Sequence, residues 1–140
     1  MDISGNHVTA SKRLVVSVTA TAAEHAMVTV AGELDAATTA PFEECLGKTL
    51  HPGCRAILVD LSGVTFCAAA GLRALLNFTG EARLLGVPVA IVAGHSAVTR
   101  PVRVLQLTQV LPLHRELIGA VEWLGALPRS AGHGRRRPPA

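Results

Sequence analysis

The chain has 140 residues, enough for one hydrophobic core but not two. With 49% apolar and 16% charged residues it belongs with folded domains and not with disordered chains. Aromatic residues make up only 3% and tyrosine is absent, which argues against recognition by stacking on bases. The formal charge of +3 is unevenly placed, because Arg129, Arg135, Arg136 and Arg137 lie beyond Pro128 with no acid among them. The remainder carries nine basic and ten acidic residues, so the body is close to neutral.

Taken in order, residues 1–12 are polar and mixed and are expected to form a flexible arm. A single domain is expected over 13–125, followed by a disordered basic tail over 126–140. Residues 14–20 (L-V-V-S-V-T-A) are rich in β-branched side chains and predict a strand. Residues 27–31 (M-V-T-V-A) predict its antiparallel partner, closed by Gly32-Glu33-Leu34-Asp35. Thr38 and Thr39 are candidate caps for a helix, with Pro41 in its first turn and Glu43 and Glu44 toward its positive end. Phe42, Cys45, Leu46 and Leu50 make its apolar stripe, and Pro52-Gly53 ends it.

Residues 56–61 (A-I-L-V-D-L) form an apolar run that predicts a buried strand, with a turn at Ser62-Gly63. Past an alanine triplet, Leu72, Leu75, Leu76 and Phe78 recur at helical spacing, so a long helix reaches to about Leu85. A second apolar run spans 87–93. A short helix follows, with Thr99 as its expected cap and Val102, Leu105 and Leu107 facing inward. Residues 110–113 predict a short edge strand limited by Pro112, and 114–124 a final amphipathic helix. This order implies an α/β fold: a mixed sheet of four to five strands, with about four helices packed mainly on one face.

Several fragments, in this order and at these distances, resemble the STAS domain and within it the bacterial anti-sigma factor antagonists. They are Gly32-Glu33-Leu34-Asp35, the stretch V-D-L-S-G-V-T-F over 59–66, Gly71-Leu72, and V-L-Q-L-T over 104–108. In relatives that act as phosphorylation switches the junction reads D-S-S-G or D-S-A-G, which falls on Ala68, Ala69, Ala70 and Gly71. The resemblance implies that the position of Ala69 accepts phosphate from an anti-sigma factor that is itself a GHKL-type serine kinase. Phosphate adds about two negative charges to the contact surface and ends binding. A methyl group offers no oxygen nucleophile, so this chain is expected to bind without being switched off at Ala69.

The expected partner-binding residues are Asp35, Ser62, Thr65, Cys67, Ala68, Ala69 and Gly71, continuing along the helix to Arg73. Asp35 reads equally as a docking residue or a turn-capping aspartate, and Asp60 as a hydrogen-bonded structural group. Ser62 and Thr65 are the hydroxyls nearest the missing acceptor, although Ser62 before Gly63 suits ordinary turn chemistry. Cys67 precedes a helix start, where a thiolate would be stabilised; it reads either as a redox switch or as a small core residue.

Three cysteines without C-x-x-C, and six scattered histidines, supply no metal-ligand spacing. Phosphate-binding and nucleophile-elbow motifs are missing as well, so neither an enzyme nor a cofactor is expected. A cytoplasmic protein with reduced thiols is expected, with an anti-sigma factor as partner and weak homodimerisation, and without metal, direct nucleic acid or membrane as partners. The arginine tail is either a weak nucleic-acid or membrane contact or a solvated end. A different class of function, a STAS module answering to a small molecule, lipid or redox signal inside a larger regulatory or transport complex, fits the same fragments.

Overall fold

The computed structural model describes residues 6–10, 13–20, 24–111 and 113–126. Its elements are β1 (Asn6–Ala10), β2 (Leu14–Ala20), β3 (His25–Leu34), α1 (Thr39–Thr49), β4 (Ala56–Cys67), α2 (Ala69–Leu84), β5 (Val89–Val92), α3 (Ser96–Val104), β6 (Leu113–His114) and α4 (Leu117–Ala126). They build one six-stranded sheet whose strands lie in chain order. The first three are antiparallel, and β3 to β6 are parallel.

The α/β class is as expected, but the sheet has a strand more than the upper count. Asn6–Ala10, read from sequence as part of a loose arm, pairs along β2 from Asn6↔Thr19 to Ala10↔Val15. Its polar residues hid it, since an edge strand is held by backbone bonds that composition does not report. Residues 1–5, 11–12 and the tail from 127 lie outside the described residues, while Ala126 closes α4 and does not open the tail.

Burial follows the covering of the sheet. Along β2, Leu14, Val16 and Val18 are buried while Val15 and Thr19 are exposed. In β3, Ala26, Val28 and Val30 are buried and Thr29 and Ala31 exposed. This alternation belongs to strands with one solvated face, and the unbroken burial of β5 to a strand covered on both.

The parallel strands advance in one direction across the sheet, and right-handed crossovers then require α1, α2 and α3 on a common face. Phe42, Leu46, Leu72, Leu75, Val98 and Val102 duly share one core with Val28, Val30, Ile57 and Ile91. Helix α4 follows the last strand and is not a crossover. It packs on the opposite face, with Ala120 against Leu58, Ala90 and Val92. The expectation of helices mainly on one face therefore holds for three of the four.

Local corrections share one cause, the pull of tertiary contacts on element ends. The final helix begins at Leu117, because Leu113 and His114 are drawn into the sheet beside Ile91 and Val92. The short helix is capped by His95 and not Thr99, and Leu105, expected to face inward, is exposed just past its end. At α1, Thr38 holds the capping position without a side-chain cap bond, and Glu43 and Glu44 fall beyond the first turn. Among the described residues no helix is long and apolar enough to cross a membrane.

Candidate functional site

The site is built where β3, β4 and α2 meet, and its shape comes from an irregularity in β4. Its pairing with β3 runs Thr29↔Asp60, then Ala31↔Gly63, then Gly32↔Val64, then Glu33↔Phe66. Each of the two shifts inserts an extra residue in β4, so side-chain parity reverses twice. Buried positions in its second half accordingly fall at Leu61, Val64 and Cys67, three residues apart. The turn expected at Ser62-Gly63 is thus a bulge inside a continuous strand. A second consequence is that Phe66 points out of the core with 52% of its surface exposed.

Asp60 and Ser62 stabilise the first bulge. The Ser62 amide donates to Asp60 Oδ1 at 3.0 Å, and the Ser62 hydroxyl donates to the same oxygen. This supports the structural reading of Asp60 and the turn-type reading of Ser62. On the other side, His95 Nε2 lies 3.0 Å from the Ser62 carbonyl oxygen, while the Ala97 amide donates to His95 Nδ1 at 3.4 Å. With Nδ1 accepting, Nε2 carries the proton and donates to Ser62. His95 thereby ties the α3 start to the bulge, a role its isolated position in the sequence does not signal.

Beyond β3, Asp35 organises a tight turn. Its Oδ1 accepts from the amides of Ala37 at 2.9 Å and Thr38 at 3.2 Å. The Thr38 hydroxyl accepts from the Asp35 amide at 2.9 Å and donates to the Glu33 carbonyl at 2.8 Å. Arg13, not singled out from sequence, pairs with Asp35 Oδ2, and its Nε lies 3.5 Å from Glu33 Oε1. Partial desolvation raises the Asp35 pKa, but the Ala37 amide, the Arg13 guanidinium and Thr38 outweigh it and hold the carboxyl below its ordinary value of 3.8.

A carboxylate with a lowered folded-state pKa contributes stability that is complete above the unfolded value and vanishes as pH falls through the folded one. Wild type should therefore lose more stability in urea between about pH 6 and about pH 3 than Asp35→Asn does. Equal losses would remove Asp35 from the acid response.

Next to this turn, the Ala68 amide donates to the Leu34 carbonyl at 2.8 Å and closes the β3–β4 ladder. Ala68 stands at the cap position of α2 with extended backbone and no side-chain cap. Ala69 is exposed at the first helical position, and Arg73, also exposed, lies one turn further on the same side. The Thr65 hydroxyl is exposed and donates to the Gly32 carbonyl at 3.3 Å.

Two expected contact residues are not surface. Gly71 is buried, and a Cβ there would stand 3.0 Å from Leu34 Cβ and 3.2 Å from Cys67 Sγ. Its part is to let α2 approach β3 closely. Cys67 is buried as well, and burial pushes its thiol up to about 11. Burial counts against the redox reading and agrees with that of a small core residue, since desolvation favours the protonated thiol. All three cysteines are buried thiols outside any disulfide. The folded protein should accordingly show no fast thiol with a disulfide reagent, and all three should react once urea unfolds it. A rapidly labelled Cys67 in the native state would restore the redox reading.

The junction thus gathers Asp35, Thr65, Ala68 and Ala69, adds Phe66, and leaves Ser62 on the bulge beside His95. It offers small side chains, one exposed aromatic ring and flanking charge, which suits protein recognition.

This fold and this junction define a class. Residues 17–115 match the family model described as Mlab, STAS domain, and the chain belongs to the STAS domain family. Across 108 residues it is 32% identical to the anti-sigma-F factor antagonist RsfB of Mycobacterium tuberculosis, covering 75% of this chain and 88% of that protein. The fold also matches an anti-sigma factor antagonist from Mycobacterium paratuberculosis, with a TM-score of 0.72, 24% identity, and coverage of 84% of this chain and 98% of that one. Unphosphorylated SpoIIAA, an anti-sigma factor antagonist, matches with a TM-score of 0.65 at 12% identity, over 81% of this chain and 99% of that one. SpoIIAA from Bacillus has also been solved in its phosphorylated form.

Proposed function

We propose that this chain is an anti-sigma factor antagonist. In this reading it binds a GHKL-type serine-kinase anti-sigma factor through the surface formed by Asp35, Thr65, Phe66, Ala68, Ala69 and Arg73. Binding releases a sigma factor and so regulates transcription. The carrying observation is the exposed Ala69 at the first position of α2, in a chain 32% identical to a named antagonist. Where switchable relatives carry a hydroxyl, Ala69 has a methyl, so attachment at that position has no covalent off-signal. Small side chains let a partner backbone come close, and Phe66 supplies an apolar anchor at the edge of the patch.

Affinity capture with the full chain from its source cells is expected to return an anti-sigma factor with a kinase-type ATPase domain. Incubated with that partner and ATP, Ala69→Ser should gain one phosphate by intact mass, and the native chain none. A phosphate on the native junction would end the unswitchable reading. Capture of an ABC-transporter ATPase instead would move the chain to the transport-complex class. Phe66→Ala is expected to weaken partner binding about ten- to a hundredfold with little change in melting temperature, because half of the ring is already in water. Unchanged affinity would place Phe66 outside the interface.

A further inference from the structure

Arg13 stands just before β2 and holds the end of β3 with both its backbone and its side chain. Its carbonyl accepts from the Glu33 amide at 2.8 Å. Its guanidinium pairs with Asp35 Oδ2, and its Nε lies 3.5 Å from Glu33 Oε1. Any residue could supply the carbonyl. Only a cation can sit between Glu33 and Asp35, which without it are neighbouring like charges. Because 47% of the Arg13 side chain is already in water, the core does not depend on that guanidinium.

Each oxygen of Asp35 has a partner within the chain: Oδ2 has Arg13, and Oδ1 has the amides of Ala37 and Thr38. With 20% of its side chain exposed, Asp35 is placed to shape the surface more than to reach across it. The bonds then run on toward α2. The Thr38 hydroxyl returns to the Glu33 carbonyl at 2.8 Å and closes the turn around Leu34. Leu34 accepts the Ala68 amide at 2.8 Å, and Gly71 leaves room for its Cβ. The first turn of α2, with the exposed Ala69, is therefore seated on a turn that Arg13 holds shut. Resting on the anti-sigma factor reading of this site, we propose that Arg13 is a positioning residue for partner binding, acting through Asp35 and the Leu34 carbonyl on Ala68 and Ala69. Its charge is spent on Glu33 and Asp35 and not on the partner.

The full chain, labelled with nitrogen-15 and without partner, is titrated with acid and followed by its amide signals. Ala37 and Thr38 report the ionisation of Asp35 directly, and Ala68 and Ala69 are expected to move with the same midpoint. Among the described residues Arg13 and Glu33 are the charged groups at Asp35. In Arg13→Gln the carboxyl loses its cation and keeps Glu33 beside it, so the shared midpoint should shift to higher pH. Arg13→Lys should bring it most of the way back. Near neutral pH, Arg13→Gln should weaken binding to the captured anti-sigma factor about tenfold, and adding Asp35→Asn should weaken it no further, since the two act as a unit. Signals of Ala68 and Ala69 that ignore the titration, or a midpoint unmoved in Arg13→Gln, would overturn the proposal. Additive losses in the double variant would overturn it too, by marking Arg13 as a direct contact. If Ala69→Asp abolishes binding while Arg13→Gln leaves it unchanged, the role of Arg13 falls and the anti-sigma factor reading stands. If Ala69→Asp is tolerated, both fall together.

Discussion

Gly32→Ala is expected to destabilise the folded protein by about 3–5 kcal/mol. Gly32 has φ of +113°, and a Cβ there would stand 2.0 Å from the Arg13 carbonyl oxygen and 3.1 Å from Leu14 Cα. Both neighbours are backbone, so no rotamer relieves the overlap. β2 must move away from β3 at the Leu14↔Gly32 pair, and the 2.8 Å bond from the Glu33 amide to the Arg13 carbonyl goes with it. Arg13 then no longer reaches Asp35, so the turn beside the candidate site loosens too. Gly86 is the internal control: its φ is +73° but a Cβ there meets nothing within 4 Å. Gly86→Ala should cost only the backbone term, about 1–2 kcal/mol. Urea denaturation of both variants checks the pair, and equal costs would show that the Arg13 overlap is relieved cheaply.

Ala69→Asp is expected to move stability and binding in opposite directions. Ala69 is exposed, so the larger side chain meets no core, and a carboxylate at the first helical position interacts favourably with the amides of the α2 start. Thermal stability should hold or rise by up to about 1 kcal/mol. If the proposed interface is right, binding to the captured anti-sigma factor should fall at least about a hundredfold, because the carboxylate would be buried unpaired against the partner. Scanning calorimetry of the free protein reads the first effect, and titration calorimetry with the partner reads the second. Binding that tolerates the carboxylate would move the interface away from α2, whatever the fate of the fold.

How much of this was readable depends on whether short-range chemistry or distant packing decides the residue. The β-branched run of β2, the apolar run of β5 and the helical spacing of Leu72, Leu75 and Phe78 are local patterns, and each lands in the element it predicts. The junction was legible for the same reason: the alanine triplet abuts the start of α2.

Phe66 was not legible as an exposed ring, because its direction depends on two bulges set by the pairing of β4 with β3. A strand's alternation cannot be extended through an irregularity that exists only in the partner's register. Arg13 escaped notice because its carboxylate partner lies 22 residues away in the chain. For Cys67 the sequence left a redox switch and a small core residue both open; its burial is a property of what α2 and β3 bring over it.

The linear chain determined most of the element types, the α/β class and the family, all carried by neighbouring residues and their spacing. Tertiary structure alone decided which side chains face out of β4, which thiol is desolvated and which sheet face α4 covers. Those outcomes follow from register and packing between segments far apart in sequence, and no local pattern encodes them.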